Sequence, residues 1–154
     1  MIKLKLKKGE SKENRYFGEH NIAGTKFRLI DLFSLRQHVL MVLKDIENET
    51  RNKSLPLEEV KKLIEERLRE WLNRYQDIEK VEFEFDDRVA EDISDSSITS
   101  RTYRDSWDLL TVSIANGPEI TLVIYAEYTI TKSGGKVYLS NFKLDDVIPA
   151  HVTL

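Results

Sequence analysis

The patterning of the chain predicts an α+β fold: a single antiparallel sheet, built from an N-terminal strand and a C-terminal meander, with two consecutive helices packed on one face. Three observations carry this expectation. Apolar residues recur at three-to-four spacing between Leu35 and Tyr75. They alternate with charges at 2–8 and 81–86. From Trp107 onward, segments rich in Val, Ile, Thr and Tyr are separated by Asn116-Gly117-Pro118 and Ser133-Gly134-Gly135. At 154 residues, one domain spanning 1–154 is expected.

In chain order, Ile2, Leu4 and Leu6 alternate with Lys3, Lys5 and Lys7, which predicts a strand with one apolar and one cationic face. Residues 9–24, where Gly9, Gly18 and Gly24 stand among polar residues, read as a long loop before a short strand at Lys26-Phe27-Arg28-Leu29. The first helix is expected to open at Ser34-Leu35-Arg36-Gln37, which has the form of a capping box, and to end near Asn48. Its apolar stripe is Leu35, Val39, Val42, Leu43 and Ile46, widened by Leu32 and Leu40. The second helix opens at Leu55-Pro56, because proline's fixed φ suits a first turn, and Glu58 and Glu59 complement the dipole there. It buries Leu57, Val60, Leu63, Ile64, Leu68, Trp71, Leu72 and Tyr75 and leaves a solvated charged side.

Val81, Phe83 and Phe85 alternate with Glu82, Glu84 and Asp86, the mirror image in charge of the N-terminal strand. The stretch from Asp92 to Ser106 reads as a long surface loop. Trp107–Ala115, Glu119–Lys132 and Lys136–Leu144 are the strands of the meander, joined at turns whose Asn and Gly residues supply positive φ. The tail from Val147 to Leu154 is expected to pack over an edge, since Pro149 disfavours a central strand.

Charge is unevenly spread. Residues 1–36 hold nine basic and four acidic groups, a net of +5 in a chain whose total is −3, so the remainder carries −8. Nine acids within 77–95 face only Lys80 and Arg88. Pairing of residues 2–7 with 81–86 would set Lys against Glu and Asp across neighbouring strands, fixing register at about 0.2–1 kcal/mol per pair.

Several chemistries are excluded by composition. The chain has no Cys, so disulfides, Cys-bound zinc or iron–sulfur clusters and thiol nucleophiles are out. No glycine-rich phosphate loop, no H-E-x-x-H and no G-x-S-x-G occurs, and His20, His38 and His151 are widely separated. The first eight residues, MIKLKLKK, lack a signal-peptide core, and no apolar run approaches the length of a membrane span; a cytoplasmic location without membrane association is the expectation.

Two functions from different classes remain. The first is a non-enzymatic protein-interaction or dimerisation module that uses the second side of the long middle strand, where Thr121, Val123, Tyr125 and Thr129 are neither plainly solvated nor plainly core; an ordinary β-rich surface is the plainer explanation. The second is nucleic-acid processing. A divalent-metal nuclease would gather Glu82, Glu84, Asp86, Asp108 and Glu127 around Mg²⁺ or Mn²⁺, because hard cations take several oxygen ligands and activate bound water. A metal-free ribonuclease would use Arg101, Arg104 and a histidine on phosphate. Apart from that metal, no cofactor is expected.

Overall fold

The structure, a computed structural model, describes residues 32–75 and 77–153. Its elements in chain order are α1 (Leu32–Glu49), β1 (Leu55–Pro56), α2 (Leu57–Leu72), β2 (Ile78–Glu84), α3 (Asp87–Ser94), β3 (Ser100–Ile114), β4 (Glu119–Ser133) and β5 (Lys136–Thr153). The strands form one antiparallel sheet in the order β1-β5-β4-β3-β2, so the fold is α+β as patterned. α1 lies over β5 and α2 over β2. Between helices and sheet sits one core, in which Ile120, Leu122, Ile124, Ala126, Tyr128 and Ile130 of β4 meet Leu35, Val39, Leu43 and Ile46 of α1 and Val60, Ile64, Leu68 and Leu72 of α2. Alternation along β4 puts the odd-numbered residues Thr121 to Thr131 on the opposite side, the open face.

The hairpin turns form where positive φ was expected: Asn116 (58°), Gly134 (58°) and Gly135 (77°) adopt it, and Ile114 N–H closes the first turn on Pro118 O at 3.0 Å. Pro149 sits within β5 opposite Leu122 rather than in a covering tail. It is tolerated because β1 pairs with β5 only at Tyr138 and Leu139, leaving Pro149 on a margin where no ladder donor is needed.

Other elements differ from expectation. Ser34 lies inside α1, which already begins at Leu32, because Leu32 and Leu35 are both buried one turn apart and extend the stripe. The expected loop from Asp92 to Ser106 narrows to residues 95–99, between the end of α3 and the first half of β3. α3 is short and half charged, with only Val89 and Ile93 turned inward, too few positions to establish a helical period in the sequence. Its ends explain its presence. The Asp86 carboxylate caps the first turn by accepting Arg88 N–H at 2.9 Å, and Lys132 Nζ donates to the carbonyls of Asp92, Ile93 and Asp95 at 2.8, 3.1 and 2.6 Å.

The strand expected at 2–8, its pairing with 81–86, the loop at 9–24 and the strand at 26–29 lie outside the described residues. At the margin of β2 away from β3, Glu65 of α2 accepts the Phe83 N–H at 2.8 Å and Arg69 donates to the carbonyls of Ile78 and Glu79. The far margin of β5 is treated alike. Glu47 accepts Leu144 N–H, Thr50 accepts the N–H groups of Asn141 and Phe142, and Arg36 donates to Val147 O. Among the described residues no helix is long and apolar enough to cross a membrane.

Candidate functional site

The strand that builds the site is β3, and it does so by a change of phase. Tyr103 faces the core, and so do Leu110, Val112 and Ile114, but an odd residue and even ones cannot share a face without an inserted residue. The register shift between Tyr103 and Ser106 supplies it, with Asp105 at φ 56°. Because the bulge comes so early, Ser106 and Asp108 are carried inward and fully buried while Trp107 and Leu109 are carried outward. Polarity is thus inverted on both faces of residues 106–109.

On the open face this creates an apolar island. Trp107 stands opposite Tyr125, Leu109 opposite Val123, and Val123 opposite Ile148. Trp107 is 60% exposed, Ile148 42% and Leu109 38%, which is unusual for side chains of this size grouped together. The Trp107 and Tyr125 rings meet edge to face at 5.6 Å and 82°, which fixes the orientation of the indole. Polar rows flank the island: Thr102 and Thr129 share a hydroxyl hydrogen bond at 2.8 Å, and Arg104 pairs with Glu127 at 3.3 Å. Beside Trp107 a groove of about 620 Å³ opens, lined by Glu84, Asp86, Arg88, Arg104, Asp105 and Leu109 among others.

Behind the island, on the core side, two carboxylates meet. Asp86 accepts from the Trp107 N–H at 2.9 Å and from Arg88 through its backbone N–H, Nε and Nη2. Burial by itself would raise the Asp86 carboxyl, but these hydrogen bonds and the guanidinium charge together hold it below its ordinary value. Asp108 accepts from Tyr128 O–H at 2.7 Å and from Asp86 N–H at 2.8 Å on one oxygen, and its other oxygen lies 3.4 Å from Ser106 Oγ. It touches no cation among the described residues. Burial, reinforced by the nearby Asp86 charge, pushes its carboxyl up to about 7 in spite of those donors. Burial also raises the Tyr128 hydroxyl.

Thr121, Val123, Tyr125 and Thr129 all fall on the open face, half-buried, so the four residues expected to form an interface share one surface with Trp107, Leu109 and Ile148. The five carboxylates expected to bind metal do not converge. Glu82 and Glu84 alternate onto the open side of β2, Asp86 and Asp108 are spent on protein donors, and Glu127 pairs with Arg104. Among the described residues no group of three or more His, Asp or Glu side chains is placed to hold a metal ion. Arg101 is taken by Asp92 at 2.9 Å, at the far end of α3, and Arg104 lies on the open face, so the two do not make one anion site. Trp107, Ile148, Ser106 and Tyr128 were not singled out from the sequence. The available signal was the slip of apolar phase at Leu109-Leu110, which marks a strand that must change face. No family model, no curated protein and no solved structure matches the chain.

Proposed function

We propose that this protein is a binding module, without chemistry of its own, that docks a protein surface, in the first instance a second copy of itself, against the open face of its sheet. The observation that carries this reading is the island of Trp107, Leu109, Val123, Tyr125 and Ile148 spread over three consecutive strands, with Leu109 and Ile148 exposed on either side of Val123 and Trp107 next to Leu109 along β3. Large apolar side chains held in fixed orientation lose little entropy on binding, and aromatic anchors ringed by polar residues are the usual energetic centre of an interface. The threonine rows and the Arg104–Glu127 pair supply such a rim. The margins of the sheet among the described residues, where helix side chains occupy backbone groups of β2 and β5, favour contact through the face over addition of a strand.

Light scattering coupled to gel filtration over a wide range of concentration tests this. The wild type is expected to pass from monomer to dimer, while Trp107→Ser and Ile148→Ser stay monomeric with unchanged circular dichroism. A wild type that is monomeric throughout, and whose Leu109, Val123 and Ile148 amide resonances do not move when cell extract is added, sinks the proposal.

A further inference from the structure

The buried end of β3 holds a carboxyl that the docking surface does not use directly, and its hydrogen-bond arithmetic is informative. Both lone pairs of one Asp108 oxygen are filled, by Tyr128 O–H and Asp86 N–H. The other oxygen faces Ser106 Oγ at 3.4 Å, and Ser106 has one proton, which the Ala126 carbonyl accepts at 3.0 Å. With Asp108 neutral, its own O–H points to Ser106 Oγ and every group in the cluster is satisfied. With Asp108 ionised, Ser106 must abandon Ala126 or leave a buried anionic oxygen without a donor.

Among the described residues, nothing around the cluster neutralises such a charge. From the β2–α3 junction Asp86 faces it as a like charge, and Arg88 of α3 is spent on Asp86. Asp92 of α3 is engaged by Arg101 and by the hydroxyl of Tyr103 of β3, and Arg104 of β3 pairs with Glu127 on the open face. β4 offers the Tyr128 hydroxyl, and the ring of Phe142 from β5 stacks on Tyr128. Glu65 of α2 is on the Phe83 N–H, and His38 of α1 contacts Trp71 and Tyr75. The mechanical link is short: Asp86 gives its N–H to Asp108 and takes the N–H of Trp107 on its carboxylate.

We propose that Asp108 is a proton switch for the Trp107 end of the open face, the neutral acid leaving Ser106 Oγ–H on the Ala126 carbonyl across the bulge and the ionised form drawing that proton to itself, so that the strand carrying the indole shifts out of the docking geometry. The role as a regulator of docking rests on the function proposed above; the switch itself does not. The displacement of its carboxyl by burial to about 7 places the changeover in the neutral range, while Asp86 stays charged across it and repels the new anion.

Carbon-detected resonances of the Asp side-chain carboxyls, followed with the Trp107 amide through a pH titration of the full chain, test this. The Asp108 carboxyl and the Trp107 amide should share one midpoint near 7. Asp108→Asn should abolish the Trp107 transition and keep its acid-side shift, whereas His38→Gln should leave it intact. If Asp108→Asn does not fold, Tyr128→Phe serves, because loss of a donor to the carboxylate should move the shared midpoint upward. An Asp108 carboxyl that titrates in the ordinary range, or a Trp107 transition that survives Asp108→Asn, overturns the switch. Self-association should be several-fold stronger below the midpoint than above it. A chain monomeric on both sides, with the shared midpoint intact, removes the docking reading and leaves the switch standing.

Discussion

Two halves of β3 obey different rules. From Leu110 to Ile114 the strand alternates as a half-buried strand should, with Leu110, Val112 and Ile114 in the core and Thr111 and Ser113 turned away. From Ser106 to Leu109 the same strand buries a hydroxyl and a carboxyl and exposes an indole and a leucine. The chain's own polarity would put the change of face at Leu109-Leu110; the bulge puts it at Arg104-Asp105 instead. The difference teaches that the site is made by where one extra residue is inserted, with no special sequence motif needed. Bulges re-aim the side chains that follow them, and the cost is carried by hydrogen bonds that Asp86, Ser106 and Tyr128 supply.

The contrast should be largest in the packing of the two adjacent leucines. Leu110→Ala empties a fully buried position and should cost about 2–5 kcal/mol in urea unfolding, whereas Leu109→Ala should cost under about 1 kcal/mol. Equal losses would mean that the island is core. The next largest effect is the dependence of stability on pH. Asp108 has its carboxyl raised in the folded state, so its contribution is fully present below the ordinary carboxylate value of 3.8 and is lost as the pH rises towards 7. A displacement of that size corresponds to on the order of 4 kcal/mol, and Asp108→Asn should flatten the curve over this window. Asp86, held low, works in the opposite sense and loses its contribution only in acid. The smallest effect belongs to the bulge itself. Asp105 holds φ 56° without being glycine, so Asp105→Gly should raise the melting temperature slightly, by up to about 1 kcal/mol of stability, if the phase change is set here. A loss on that substitution would show that the Asp105 side chain, and not its backbone, anchors the bulge.

The helices, the two hairpins and the core side of β4 were legible because each depends on a period or a turn residue that neighbouring elements do not alter. Leu35 to Ile46, Val60 to Leu72 and Ile120 to Ile130 bury as their spacing requires. α3 was not legible, because its stability comes from groups far along the chain: Lys132 closes its C-terminal end, and the Asp86 that caps it is oriented by Trp107. The open-face residues Thr121, Val123, Tyr125 and Thr129 were found from alternation alone, but the exposed Trp107 and Ile148 beside them were not, since Trp107 read only as the start of a meander strand and Ile148 as part of a covering tail. Asp108 was legible as a charge and illegible as a buried acid. Its two short donors come from Asp86 and Tyr128, 22 and 20 positions away, and only the sheet brings them together.

The side chains that stopper the two margins of the sheet have a consequence for the size of any assembly. A β-layer whose borders are free can grow without limit, one molecule stitched to the next. Among the described residues, Glu65 and Arg69 occupy backbone groups at one border and Arg36, Glu47 and Thr50 at the other, so molecules meeting through the broad side would form closed pairs and stop.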